Sequence, residues 1–189
     1  MIKGYDFSHY QGETYQNYRD GDFYILKATE GIKFKDKKFN EMASYFRGIC
    51  AKAIGAYHYA HPEKNSWKKE ADHFLKTVKS NLPCVLALDW EGEALKCDIK
   101  WARAWLDYVF AQTGIRPLFY CQSSYVDSVG DAIVSGGYGL WVARYTNIGK
   151  PKVGKWGKYA IWQKTSKPVD TDYFNGTLAG FLKYGAPVI

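Results

Sequence analysis

The tripeptide Asp89-Trp90-Glu91 is the segment of this chain best suited to chemistry. It ends an apolar run at 85–88, so both acids sit at the end of an expected strand. In a strand, residues i and i+2 face the same side, with Cα atoms ~6.7 Å apart. Two carboxylates that close repel when both ionise, and one keeps its proton to higher pH. A protonated acid beside an ionised neighbour is what glycosidic bond cleavage uses. An isolated D-x-E more often begins a solvated loop. Here the apolar run and the other polar strand ends put the functional reading ahead.

Those other ends are Asp6, Lys27 to Glu30, Tyr57 to His61, Tyr120 and Gln122, Arg144 and Tyr145, Gln163, and finally Asp170 and Asp172. Together they describe an acidic cleft rimmed with rings. Each also has a plainer reading. Asp6 suits a turn or cap. His58, between Tyr57 and Tyr59, suits a hydrogen-bonded core histidine, and Glu30 suits a turn before Gly31. Lys27 has two candidate partners, Glu30 or a catalytic acid. Trp101 and Trp105 have helical spacing and are assigned to the core, whereas Trp90, Trp141 and Trp162 fit cleft or core. The basic run 150–158 reads as a solvated loop.

The elements that must position these residues alternate. Apolar runs at 2–7, 23–28, 53–59, 84–89 and 118–121 read as strands. Between them lie helical patterns: Phe39, Met42, Ala43, Phe46, Ile49 and Cys50; then Trp67, Ala71, Phe74, Leu75 and Val78 behind a Ser66 cap; then Trp101, Trp105, Leu106, Val109 and Phe110 between Asp98 and Gly114. Residues 125–134 form a further helix candidate. After that, 140–144, 159–163 and 169–174 read as strands; 145–158 between them has no apolar period, and 164–168 is too short for a helix. Five strand–helix units followed by three bare strands predict an α/β fold with a parallel sheet. A complete (β/α)8 barrel typically takes ~250 residues. At 189 residues, a barrel lacking its last helices fits, and a flavodoxin-like open sheet competes with it.

Composition narrows the partners. Aromatic residues make up 17% of the chain, and the net charge is +7. A cationic surface favours anionic partners such as nucleic acid, acidic lipid or an acidic wall. The acids at the strand ends argue against a groove that tracks phosphates. No run is long enough to span a membrane, and the N-terminus lacks the apolar segment of a signal peptide. The chain is expected to be made in the cytoplasm, or to have lost a leader. Cys50, Cys84, Cys97 and Cys121 form no CxxC pair, and free thiols are expected.

Six segments, in order, resemble the family 25 glycoside hydrolases, the Chalaropsis-type lysozymes of bacteria, fungi and phage endolysins. They are Tyr5-Asp6-Phe7-Ser8-His9-Tyr10-Gln11-Gly12, Lys27-Ala28-Thr29-Glu30-Gly31, Gly55-Ala56-Tyr57-His58-Tyr59-Ala60, Leu88-Asp89-Trp90-Glu91, Leu140-Trp141-Val142-Ala143-Arg144-Tyr145, and Trp162-Gln163 followed by Val169-Asp170. The resemblance implies a modified TIM-like (β/α)5(β)3 barrel spanning residues 1–189 as one catalytic domain, without a separate wall-binding domain. It implies a muramidase acting on peptidoglycan glycan strands, with no cofactor or metal. No nucleic-acid partner and no membrane insertion are expected, and the chain is expected to be a monomer.

By the same resemblance, Glu91 is the acid/base and Asp89 supports the substrate's 2-acetamido group, with Asp6 and Asp170 as the remaining cleft acids. Tyr57, His58, Glu30, Tyr120, Trp141, Gln163 and Asp172 are expected to bind substrate. The segment between Trp162-Gln163 and Val169-Asp170 is shorter than the family's usual one. That leaves Asp170 and Asp172 as rivals for the last acidic position, with Asp170 preferred for its place after Val169. Three other readings compete. A metal-dependent deacetylase would use Asp6, Asp89, His58 and His61. A cysteine amidase would use Cys121. A binding module would rely on charge and rings alone.

Overall fold

The computed structural model describes residues 1–50 and 53–188; the side chain of Cys50, residues 51 and 52, and Ile189 lie outside the description. Among the described residues there are nine strands: β1 (Ile2–Phe7), β2 (Phe23–Glu30), β3 (Phe34–Lys35), β4 (Ile54–Tyr59), β5 (Val85–Asp89), β6 (Leu118–Gln122), β7 (Gly139–Ala143), β8 (Ile161–Thr165) and β9 (Thr171–Phe174). Five α-helices accompany them among the same described residues: α1 (Phe39–Cys50), α2 (Trp67–Val78), α3 (Ile99–Thr113), α4 (Val126–Val134) and α5 (Leu178–Tyr184).

The strands close on themselves in the order β1-β2-β4-β5-β6-β7-β8-β9, with β9 returning to β1. Closure excludes the open flavodoxin-like sheet. Pairings from β1 through β8 are parallel, and β9 is antiparallel to both neighbours. Because β9 runs backwards, its beginning lies beside the carboxyl ends of the others. Asp170, just before β9, therefore reaches the same rim as Asp89 at the end of β5. The short β3 folds back on β2 as a hairpin outside the barrel.

Helices α1 to α4 follow β2, β4, β5 and β6, as the apolar periods predict. The crossover from β1 to β2 differs, being made of two short 3-10 turns, His9–Gln11 and Thr14–Asn17. Asp98 caps α3 by accepting from the Lys100 amide, and Gly114 ends it in the left-handed conformation. Ser66 stands at the start of α2 but makes no side-chain cap bond. Phe39, Met42, Ala43 and Phe46 of α1 are buried, whereas Ile49 is exposed. Helix α5 is not among the expected elements. Thr177 caps it, and it packs Phe181 against Phe23 and Phe174 at the amino-terminal end of the barrel.

Strand alternation sorts the core into two layers. Phe23, Ile25, Val85, Ala87, Leu118, Trp141 and Phe174 fill the barrel interior. Leu26, Ala56, Leu86, Leu88, Phe119 and Val142 point outward and pack under the helices. Gly4 faces inward, where a Cβ would come within 2.6 Å of the Phe23 ring. A bare backbone at this position lets the phenylalanine plug the barrel's lower end. Among the described residues, no helix is long and apolar enough to cross a membrane.

Candidate active site

The upper end of the barrel is polar where its lower end is apolar. The inward positions one step above the plug are Asp6, Tyr57, Asp89, Tyr120, Trp141 and Gln163. With Glu91, Tyr145 and Asp170 they line a pocket of about 150 Å³. Asp89 ends β5, and Glu91 continues in extended conformation (φ −146°, ψ −175°), so both acids face the pocket. Trp90, between them, turns the other way and packs on Trp101 and Phe119. Gly92 follows with φ +58°, and a Cβ there would meet the Tyr59 hydroxyl at 2.7 Å. That turn breaks the extended run directly after Glu91.

A hydrogen-bonded lattice holds the far wall. Gln163 Nε2 donates to Asp6 Oδ2 at 2.7 Å, and Gln163 Oε1 accepts from the Tyr120 and Tyr145 hydroxyls, each at 2.9 Å. Below it, Trp141 Nε1 donates to Asp172 Oδ1 at 2.8 Å. Asp172 is fully buried and sits in the floor beneath the lining, while Asp170 reaches the pocket itself. Trp141 stands edge-on to Tyr57 and Tyr120. Burial dominates the acidities. It lifts Asp6 and Asp89 well above the usual carboxylate range and raises Glu91, and like charges add to all three. It also brings Asp170 to about 6 and Asp172 to about 7. Asp89 Oδ1 is buried with no hydrogen-bond partner among the described residues.

Besides Asp172 in the floor, two further expected substrate contacts, His58 and Glu30, stand apart from the pocket lining. His58 is fully buried on the outer face of β4, because its neighbour Tyr57 takes the inward position. Its Nε2 lies 2.7 Å from Glu70 Oε2, its Nδ1 2.7 Å from Thr29 Oγ1, and its ring stacks on Trp105. The reading of His58 as a core histidine is the one that fits this place. A bulge in β2 between Lys27 and Thr29 brings Thr29 to the same outer face. Burial lowers the His58 pKa and outweighs its Glu70 partner, which leaves a neutral ring donating to Glu70 and accepting from Thr29.

Glu30 is also outside the lining. Lys27 Nζ is 2.6 Å from Glu30 Oε2, and His61 Nε2 is 2.8 Å from Glu30 Oε1. Burial opposes ionisation of Glu30, but these two partners outweigh it and hold its carboxyl below the usual range. Lys27 in turn favours the ionised forms of Asp89 and Glu91. His58 and His61 are thus engaged by Glu70, Glu30 and Glu63, and do not converge with Asp6 and Asp89 as the deacetylase reading requires. Cys121 is fully buried, and burial pushes its thiol up to about 12, which makes it a poor nucleophile. Trp90 and Trp162 belong to the outer core layer, and Trp141 to the pocket.

Tyr145 lines the pocket; the sequence placed it at a strand end and in the motif that contains Trp141, without assigning it a substrate contact. Glu70 was missed. Its signal is a carboxylate beside Ala71 and Phe74 on the apolar face of α2.

Residues 5–173 match the profile of the glycosyl hydrolases family 25. The chain is 26% identical over 209 residues to an N,O-diacetylmuramidase of Chalaropsis sp, covering 96% of this chain and 98% of that one. It is 29% identical over 197 residues to an N,O-diacetylmuramidase of Arthroderma benhamiae, covering 93% and 83%. Its fold is similar to that of a muramidase from Trichobolus zukalii, with a TM-score of 0.79, 25% identity, and 98% and 99% of the two chains covered.

Proposed function

Since the chain belongs to the glycosyl hydrolases of family 25, we propose that it is a peptidoglycan-hydrolysing lysozyme that cuts the β-1,4 bond between N-acetylmuramic acid and N-acetylglucosamine. The observation that carries this reading is the pair at the end of β5. Asp89 offers a buried, unpartnered carboxylate oxygen, and Glu91 stands two residues on along the same face with its acidity lowered by burial.

Glu91 is the proton donor. In the first step, the acetamido oxygen of the substrate attacks the anomeric carbon, Glu91 gives its proton to the bridging oxygen, and the glycosidic bond breaks. Asp89 accepts a hydrogen bond from the acetamido N–H and stabilises the positive charge of the cyclic intermediate. In the second step, Glu91 takes a proton from water, whose oxygen attacks the same carbon and reopens the ring. Two displacements retain the anomeric configuration, a substrate-assisted variant of the two-carboxylate scheme.

In the protein alone, Asp89 and Glu91 titrate as an interacting pair and hold a proton more firmly than ordinary carboxyls. The acetamido N–H bonds more strongly to an ionised Asp89 than to a protonated one, so bound substrate favours the proton on Glu91. Asp6 and Asp170 complete the acidic wall. Tyr57, Tyr120 and Trp141 offer rings against which the sugar faces pack.

Digestion of purified peptidoglycan, followed by mass analysis of the new reducing ends, tests this reading. Muramic-acid ends are expected. Glucosamine ends or free peptides contradict it.

A further inference from the structure

Beside the acidic pocket lies a second cavity, of about 440 Å³, at the carboxyl ends of β6 and β7, lined in part by Gln122, Ser123, Ser124, Arg144, Tyr145 and Lys152. Tyr145 lines both spaces, so the two cavities adjoin at its side chain. Their charges are opposite. The first is lined by Asp6, Asp89, Glu91 and Asp170; the second holds two cations and no acid.

Neither cation is neutralised. No carboxylate partner of Arg144 or Lys152 occurs among the described residues, whereas other surface lysines such as Lys38, Lys68 and Lys96 are paired. Arg144 Nη1 donates to the Lys150 carbonyl, which fixes one edge of the guanidinium and leaves its other N–H groups available. The wall that carries Lys152 is anchored. Its amide donates to Ser123 Oγ at 2.8 Å, and its carbonyl accepts from the same hydroxyl at 3.2 Å. Ser123 is itself buried at the end of β6.

We propose that this cavity receives the carboxylate-bearing peptide attached to the muramic acid of the substrate, with Arg144 and Lys152 as its anion contacts. The proposal rests on the lysozyme reading above and adds the recognition of a second part of the same substrate. A glycan strand is neutral along its sugars, and its negative charge sits on the peptide branches. The acidic pocket repels that charge, while the adjoining cavity attracts it. A sugar seated in the pocket thus has its branch drawn past Tyr145 toward the cations. Arg144 suits the task because its planar fork binds a carboxylate through two parallel bonds.

The test uses defined soluble oligosaccharides of equal length in three forms: bare, with the lactyl carboxylates of the muramic acid amidated; peptide-bearing; and peptide-bearing with the carboxylates amidated. For the unmodified enzyme, a KM roughly three- to tenfold lower is expected on the carboxylate form than on the other two, the range for two partly exposed charge contacts. That preference should shrink as salt is raised. The double variant Arg144→Gln/Lys152→Gln should lose the preference, keep its kcat and KM on bare glycan, and melt at the same temperature. Cleavage of peptide-bearing chains alone, abolished by the double variant, would also support the proposal. A preference that survives the double substitution, one shared equally by the amidated form, or no preference at all would overturn it while leaving the lysozyme reading intact. Failure of the unmodified enzyme to cut any of the three would overturn that reading instead.

Discussion

Replacing Lys27 by Met keeps the stem of the side chain and removes its charge. Lys27 is 6% exposed, pairs with Glu30 and lies 4.9 Å from the Tyr59 ring centroid. Strands β2 and β5 flank β4, so Lys27 and the acidic pair stand two strand spacings apart, ~10 Å. At that separation and an effective dielectric of ~20, a unit charge is worth about 1.7 kcal/mol, or roughly one pKa unit. The lost cation had favoured the ionised forms, so Asp89 and Glu91 both become weaker acids. Catalysis as proposed needs Asp89 ionised and Glu91 protonated. Both limbs of the kcat/KM profile on a soluble oligosaccharide should therefore move to higher pH by about one unit. Glu30→Gln carries the opposite sign, because the Glu30 charge raises Asp89; its acid limb should move down. Unmoved limbs in a folded Lys27→Met protein, or shifts of the same sign in both variants, would refute the assignment of Lys27 as the charge that sets this pair.

Asp172→Asn should stabilise the protein at neutral pH. The folded carboxyl is held at about 7, so the folded state keeps a proton that the unfolded chain gives up near ~3.9, and stability falls as pH rises through that window. The amide still accepts from Trp141 Nε1; a gain of about 1–2 kcal/mol, or ~2–6 °C in Tm, should appear above pH ~7 and vanish below pH ~4. A gain independent of pH contradicts this. His58→Phe should cost about 2–4 kcal/mol by stranding buried Glu70 and Thr29, yet leave KM unchanged, since the ring faces away from the pocket; a raised KM at unchanged Tm would place His58 in the cleft after all. Thiol alkylation at neutral pH should spare Cys84 and Cys121, both buried and pushed up to about 12, and leave hydrolysis intact. Labelling of Cys121 that tracks loss of activity in folded protein would revive the cysteine-nucleophile reading.

The alternating strand and helix periods made the barrel legible, because each period reflects a local choice of which face is buried. The same local rule placed Tyr57 and Asp89 at strand ends. What it could not reach was contact between distant segments. Asp6 and Gln163 are 157 positions apart, and only closure through β9 brings them together. The sequence left His58 between cleft and core for a related reason. Strand alternation assigns Tyr57 and His58 to opposite faces, but which face is inward depends on how the whole sheet curls. The bulge in β2 then moves Thr29 to the unexpected side. Helix α5 carries Leu178, Phe181 and Leu182 at helical spacing behind a Thr177 cap, a signal only seven residues long. The rivalry of Asp170 and Asp172 turned on strand direction. An antiparallel β9 puts Asp170 at the rim and Asp172 in the floor.

The division of labour between Asp89 and Glu91 is tested most directly by turnover of Glu91→Gln and Asp89→Asn on two substrates, a natural oligosaccharide and one whose leaving group needs no protonation. On the natural substrate both variants should lose about 10²–10⁴-fold, the range for a positioned acid or base. On the activated substrate, the first step of Glu91→Gln should recover in part, because the missing proton is no longer needed, while Asp89→Asn should stay slow for want of charge at the acetamido group. Recovery of Asp89→Asn with Glu91→Gln still slow would reverse the two roles. Near-normal activity of both folded variants on the natural substrate would contradict the assignment of this pair as the catalytic centre.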